Sequence, residues 1–174
     1  MSYDTGKLSD ITTERTIPAG TEASVQLCEP AKVANTKQDG SGAPKIELAF
    51  KVQDGPFKNF VVREQLWINT VPKEGKEKSA WESQAKPTIA RMYKAYVNVP
   101  KPAYGPAGEE TPESKALRAP ALAKMDALLA GAKSPDQVAQ RLSTFVGKTI
   151  EVKVGIEVFN NKEKNTIAEY VAAA

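Results

Sequence analysis

The chain has 174 residues, of which 41% are hydrophobic and 26% charged, with a net charge of +3, and this composition predicts one soluble domain over 1–174. The absence of histidine and the presence of one cysteine exclude a Ser-His-Asp triad, a histidine or multi-thiolate zinc site and an internal disulfide. With no phosphate-loop motif and no apolar run of roughly 20 residues, we expect no enzyme, no cofactor and no membrane span, and a cytoplasmic location.

The first predicted strand covers 21–33, after a polar lead-in and a turn-like Ile17–Gly20 segment. Ala23, Val25 and Leu27 alternate there with polar residues, as in a strand with one buried face. A glycine-rich loop over 35–44 follows. Such a loop can close over a ligand, and Lys37 within it is a candidate phosphate contact, although most loops of this kind are only connectors.

Two alternating runs, 45–53 and 60–68, predict a β-hairpin around the turn at 54–59, which contains Asp-Gly-Pro. One parity of the hairpin is apolar, and the other collects three cations and an aromatic ring: Lys45, Lys51, Arg63 and Trp67. Cations beside an exposed ring suit the phosphates and flat bases of single-stranded nucleic acid. An ordinary half-solvated sheet would show the same pattern.

The middle of the chain, 79–147, is predicted to form a helical and proline-rich insertion. Separated by a proline-rich linker at 98–112, helices are expected over 80–97, 116–130 and 134–147. Pro87 is expected to restart the first helix and Pro120 to split the second. The aromatic stripe of the first helix, formed by Trp81, Tyr93 and Tyr96, is predicted to contact the core rather than bases.

The chain then returns to strands, at 149–159 and 165–171, joined by a turn at 160–162. Gly155, in the middle of the first of them, predicts a bend or bulge. Three strands, a helical segment and two strands make a mainly β fold with a helical insertion, in the order β-β-β-α-β-β. This is the order of a five-stranded OB-fold barrel, whose second and third strands usually face oligonucleotides.

The basic excess of the chain lies in 45–101, which holds eleven Lys or Arg against six Asp or Glu, whereas 1–44 holds four against six. A local positive field attracts polyanions even at modest net charge. The predicted groove therefore takes its phosphate contacts from Lys37, Lys45, Lys51, Lys58, Arg63, Lys153 and Lys162. The bases would stack on Trp67 and on one or more of Phe57, Phe159 and Tyr170.

Several short segments resemble a family of small phage-encoded proteins found near recombination and replication genes, which are OB-fold single-stranded DNA-binding proteins. The resemblance is carried by 17–21, by 48–52 with the turn 54–59, by 146–148 with 152–155, and by 159–162. It covers the predicted barrel and not the insertion, and it implies a phage origin. Many replicative single-strand binders end in an acidic tail, whereas this chain ends in Glu-Tyr-Val-Ala-Ala-Ala, so recruitment through such a tail is not expected.

The leading hypothesis is a sequence-tolerant single-stranded DNA-binding protein acting in phage DNA replication or recombination. The alternative is a phage protein–protein adaptor that docks on recombination or replication proteins, which the long insertion favours because a single-strand binder needs only the barrel. The insertion is also a candidate surface for a homodimer. Neither hypothesis calls for a metal ion or a cofactor.

Overall fold

The computed structural model describes residues 16–37 and 42–173, and its main feature is an antiparallel sheet of six strands with a helical insertion. The strands are β1 (Glu22–Leu27), β2 (Lys32–Asn35), β3 (Pro44–Val52), β4 (Val61–Trp67), β5 (Thr149–Phe159) and β6 (Lys162–Tyr170). Their order is β2-β3-β1-β5-β6, and β4 also pairs with β3. The predicted mainly β fold with a helical insertion is confirmed.

The predicted first strand is two strands, which makes six in place of the expected five. β1 pairs with residues 50–52 of β3, and β2 pairs with residues 44–47 of the same strand. Between them lies Pro30, which has no N–H to give to a ladder, and the neighbouring Ala31 N–H donates to Ser143 Oγ at 3.0 Å. The alternation of apolar residues did not reveal this break because it lies beyond Leu27, where the alternation ends.

The sheet is not closed, so the predicted barrel is not confirmed. Within the described residues, β4 and β6 are not hydrogen-bonded to each other as paired strands. Gln84 instead covers part of the edge of β4: the N–H of Trp67 donates to its Oε1 at 2.8 Å, and its Nε2 donates to the Gln65 carbonyl at 2.9 Å. A side chain of the insertion thus bonds edge groups that a closing strand would otherwise use.

The β5–β6 hairpin follows its turn chemistry. Asn160 and Asn161 both have positive φ, 51° and 61°, as in the two-residue turns that match strand twist, so β6 begins at Lys162 rather than at residue 165. The predicted irregularity near Gly155 is a bulge on the facing strand, where Ala168 has no partner in the register. A Cβ on Gly155 would lie 3.1 Å from that of Ala168, so glycine gives the bulge room.

The insertion contains one π-helical turn (Trp81–Ala85), α1 (Lys86–Tyr96), α2 (Pro112–Leu128), α3 (Pro135–Leu142) and a 3₁₀ turn (Ser143–Phe145). Pro87 lies in the first turn of α1, as predicted. The predicted split of α2 is wrong, because the helix continues through Pro120. Pro120 and Ala116 are both exposed, so water can reach the Ala116 carbonyl that the proline leaves without a donor.

The core lies between the inner face of the sheet and α1. Two tyrosines of α1 pack on Phe145, whose ring lies 6.2 Å from that of Tyr93 and is stacked at 4.2 Å on that of Tyr96. The largest fully buried side chains are Ile17, Val25, Leu27, Ile46, Leu48, Phe50, Val52, Val62, Leu66, Met92, Leu142 and Val152. The inner parity of β3 and β4 therefore forms the floor beneath the predicted binding face.

Helix α2 lies on the surface, and Ser114 is the one buried residue of its 17. Arg118 ties it to the proline-rich segment by donating to the Pro100 carbonyl and to Glu110, both at 2.8 Å. In the part of the chain that the structure describes, no helix combines the length and apolar character needed to cross a bilayer.

Candidate nucleic-acid interface

The outer face of the β3–β4 hairpin is the surface formed by the parity that points away from the core. In the strand register Lys45 lies opposite Trp67, Lys51 lies opposite Val61, and Arg63 lies between them on β4. Side chains of a strand alternate between its two faces, so all four predicted residues of the hairpin share the outer face. Parity alone was enough to predict this grouping.

Trp67 is half-buried near one end of the outer face. The Lys45 ammonium lies 5.5 Å from the centroid of its ring, within range of a cation–π interaction. The backbone N–H of Trp67 is fixed by Gln84, so strand, cation and insertion all hold the residue in place. A ring that is positioned in advance and partly exposed is suited to stacking with a base.

Three of the seven predicted cations form ion pairs within the protein. Nitrogen-to-carboxylate distances of 3.2, 3.6 and 3.5 Å join, in turn, Lys45–Glu47, Arg63–Glu29 and Lys153–Glu169. Within the described ranges the other four form no ion pair: Lys37, Lys51, Lys58 and Lys162. Counted along the sheet, Lys153 also lies three strands away from β4, a path of roughly 14 Å at the usual strand spacing.

A cleft of about 650 Å³, the Trp67 cleft, opens at the Trp67 end of the outer face. Pro44, Asn69 and Ser83 help to line it, together with three lysines of the loop after β4: Lys73, Lys76 and Lys78. A turn with Gly75 at φ 77° shapes this loop. The sequence pattern did not single out the three lysines as site residues, although their closeness in sequence was a signal that could have included them.

A second cleft of about 470 Å³, the Phe159 cleft, lies at the opposite end of β4, next to the β5–β6 hairpin. It brings together two predicted residues from distant parts of the chain, Arg63 and Lys162, with the Phe159 ring, which is 71% exposed. Lys164 also lines the cleft and was not predicted. The open seam between β4 and β6 gives this cleft its position.

Two of the predicted stacking rings belong to packed structure. Tyr170 is 8% exposed and meets Phe50 edge to face at 6.1 Å, so its ring lies in the core and does not face the groove. Phe57 is half-buried and meets Phe60 edge to face at 5.6 Å. The alternation of residues did not show that either ring would be packed, because Tyr170 is at the end of a strand and Phe57 is in a turn. Of the four predicted rings, Trp67 and Phe159 therefore remain accessible.

The remaining predicted cations lie near the two clefts. Lys37 is exposed and directly follows Thr36, which lines the Trp67 cleft. Lys58 is exposed in the turn before Val61, at the end of β4 where the Phe159 cleft lies. Apart from Lys153 and Tyr170, the predicted residues therefore fall into two groups, one at each end of the outer face.

Glu64 interrupts the apolar inner parity of β4 and lies at the open seam. Its burial raises the pKa of its carboxyl to about 7, while the backbone N–H of Ile167 and the charges of Arg91 and Lys164 act in the opposite direction. The Tyr170 hydroxyl has no hydrogen-bond partner of normal geometry, although it lies close enough to the Glu64 carboxyl for each to perturb the other. Burial is also the main reason that the pKa of Tyr170 rises.

Within the described residues, no group of three acidic, cysteine or histidine side chains could hold a metal ion. Neither the models of known protein families nor the curated protein sequences contain a match to this chain. The function is therefore inferred from the arrangement of the clefts, rings and cations.

Proposed function

We propose that this protein binds single-stranded DNA with little dependence on base sequence. The observation that carries the proposal is the Trp67 cleft, in which a partly exposed indole shares one concave surface with three lysines that form no ion pair with any described residue. An aromatic platform beside cations matches the two parts of a single strand, its stackable bases and its phosphates. Trp67 also lies on the outer face, which leads from this cleft toward the Phe159 cleft.

The path between the two clefts has a length suited to a short oligonucleotide. Val61 and Trp67 are six positions apart on β4, which at the rise of a strand is roughly 20 Å. Small nucleic-acid barrels bind from about four nucleotides upward. Lys51 and Arg63 lie along this path, and Arg63 would have to exchange Glu29 for a phosphate.

The proposal includes an OB-type barrel with an open seam. If β1 and β2 are counted as one interrupted strand, the strand order is β-β-β-α-β-β, with β1 placed between β3 and β5. The seam between β4 and β6 would be the point where such a barrel closes. The fold raises the expectation of oligonucleotide binding, but the rings and lysines of the clefts supply its chemistry.

Fluorescence anisotropy of a labelled oligo-dT, measured over rising salt, tests the proposed function. Affinity should fall with salt by a slope of about 0.7 per phosphate contacted. Trp67→Ala should weaken binding by about 1–3 kcal/mol, and Trp67→Phe should restore most of it because a ring is retained. Tyr104→Ala, which removes a 65% exposed ring from the insertion, is the control and should change nothing.

The proposal fails if no binding is seen at about 50 mM salt, where the electrostatic contribution is strong. It also fails if binding responds neither to salt nor to Trp67→Ala in a protein that keeps its thermal midpoint. The thermal midpoint matters because Trp67 is half-buried and its truncation could act through folding.

An adaptor that docks on phage recombination or replication proteins is the second candidate function. It is favoured by α2, a 17-residue helix with one buried residue and with Leu117 68% exposed. The adaptor hypothesis predicts a partner that survives nuclease treatment of infected-cell lysate and is lost with Leu117→Glu. Oligo-dT binding should be unchanged in that variant, so the two functions can be separated.

A further inference from the structure

The second tryptophan of the chain lines a cleft of its own. The Trp81 cleft, of about 400 Å³, lies between the end of β4 and the start of α3 and is lined by residues that include Ile68, Asn69, Trp81, Lys133 and Val138. Trp81 was predicted to contact the core, and it is packed against the core, but like Trp67 it is only half-buried. The chain has two tryptophans, and each of them lines one cleft.

The Trp81 cleft and the Trp67 cleft are adjacent. Pro44 and Asn69 line both of them. The backbone N–H of Trp81 donates to the Asn69 carbonyl at 3.0 Å, and the backbone N–H of Trp67 donates to Gln84 Oε1, three residues after Trp81. The backbones of the two tryptophans are therefore both hydrogen-bonded at the contact between β4 and the π-helical turn. A π-helical turn is a helix irregularity that is frequent at functional sites.

The charge on the cleft walls suits a polyanion that passes from one cleft to the other. The Trp67 cleft is lined by three lysines and by Glu77, and among the described residues lining the Trp81 cleft the one charged side chain is Lys133, which is exposed. A further cleft, on the other side of α3, shows the contrast. Among the described residues that line this further cleft, Asp136 is the only charged one and none is aromatic.

We propose that the Trp81 cleft is a second nucleotide subsite, so that a single strand bound at Trp67 continues past Asn69 into the helical insertion. A base would stack on Trp81 and its phosphate would meet Lys133. This inference rests on the proposed function and adds to it a role for the insertion, which a barrel alone would not need. It also predicts that the binding site is longer than the outer face.

Two variants with one tryptophan each make the two clefts separately visible. Trp81→Phe leaves Trp67 as the reporter, and Trp67→Phe leaves Trp81. Each is titrated with oligo-dT of two to twelve nucleotides while intrinsic fluorescence is recorded. The shortest oligomers that bind should quench Trp67 alone, and longer ones should quench Trp81 as well, because base–indole stacking quenches only where a base arrives.

Lys133→Gln tests the subsite without touching either ring. It should weaken binding of the longer oligomers roughly fivefold at 0.1 M salt and remove the Trp81 response, while short oligomers bind as before. Lys124→Gln, which removes the same charge from an exposed position on α2, is the matched control and should have no effect on either response.

The outcomes are distinct. If Trp67 is quenched and Trp81 stays unchanged at every oligomer length, the second subsite is wrong and the proposed function stands. The second subsite is also wrong if Lys133→Gln and Lys124→Gln have equal effects. If no oligomer changes either fluorescence or anisotropy, the proposed function itself is wrong, and the subsite falls with it.

Discussion

The middle of the outer face and the clefts at its two ends carry cations of two kinds. In the middle, Glu29 lies 3.3 Å from Lys32 and 3.6 Å from Arg63, so one carboxylate holds two cations. Arg63 also reaches the Phe159 cleft, and Lys45 lies paired with Glu47 at the Trp67 end. The other five cations that line the end clefts form no ion pair with any described residue: Lys73, Lys76, Lys78, Lys162 and Lys164. Lysine and arginine side chains of one surface therefore differ in whether a carboxylate of the protein pairs with them.

This difference matters for binding a polyanion. A lysine without a carboxylate partner can meet a phosphate and release bound counterions, which is the main source of salt-dependent affinity. A paired cation must first give up its carboxylate, so its net gain is smaller, even though an exposed pair by itself contributes little stability. For the proposed function, the loop after β4 is therefore the part of 45–101 that brings three unpaired lysines to one cleft.

The largest expected effect comes from removing the loop lysines. With Lys73, Lys76 and Lys78 all replaced by Gln, affinity for oligo-dT at 0.1 M salt should fall roughly 100-fold, since each single-strand phosphate contact contributes roughly fivefold there. The slope of affinity against salt should become shallower by about 2. Anisotropy titrations at four salt concentrations measure both quantities.

A triple variant of paired cations is the matched control for the loop variant. Lys32, Arg63 and Lys153, each within 4 Å of a carboxylate, are replaced by Gln, which removes the same total charge. We expect a loss of less than about tenfold from this control, because paired cations contact phosphate less readily. A loss of affinity equal to or greater than that of the loop variant would show that ion pairing does not distinguish the two groups of cations.

Glu64 differs from the charged residues of the outer face, because its carboxyl is buried on the inner side of β4, at the open seam. Its folded-state pKa of about 7 lies above the ordinary value of 4.5, so the protonated form stabilises the fold. That contribution is complete below about pH 4.5 and is lost as the pH rises through 7. Glu64→Gln should therefore be about 2 kcal/mol more stable than the natural chain at pH 8, and similar to it near pH 4.5.

Urea unfolding at pH 4.5, 6 and 8 measures the Glu64 effect. Glu157→Gln, at an exposed position on β5, serves as the control and should follow the natural chain at all three values. A Glu64→Gln stability that runs parallel to the natural chain over this pH range would contradict the raised pKa.

The smallest expected effect comes from freeing cations in the middle of the outer face. Glu29→Gln removes the carboxylate shared by Lys32 and Arg63. Affinity for oligo-dT should rise by about three- to fivefold, because at least one released cation becomes available to a phosphate. Glu113→Gln on the distant α2 changes the net charge equally, and a rise of the same size there would assign the gain to net charge alone.

Much of the sheet could be predicted because it depends on local chemistry. Alternating apolar residues defined the β3–β4 hairpin and β5, and Ser134 caps α3 as expected, with the Gln137 N–H at 3.2 Å from its hydroxyl. Two of the errors came from prolines. Pro30 breaks a strand that the pattern made continuous, and Pro120 is accommodated in a helix because its surroundings are exposed.

The site was predictable only where parity decides which face a side chain takes. Trp67 and Arg63 share the outer face for that reason, and their sequence positions suffice to show it. The partners of these residues lie elsewhere: Glu29 comes from the segment between β1 and β2, and Gln84 comes from the insertion. No periodicity in 45–70 could have supplied either contact.

The sequence by itself determined most of the strands, the hairpin turns, the shared face of Trp67 with its neighbouring cations, and the absence of histidine chemistry, because each depends on composition or on residues close in the chain. The tertiary structure decided which cations are paired, that Tyr170 lies in the core, that the seam between β4 and β6 stays open, and that Trp81 lines a cleft beside Trp67. Those features depend on contacts between segments far apart in sequence, where packing and charge pairing choose among arrangements that local patterns leave equivalent.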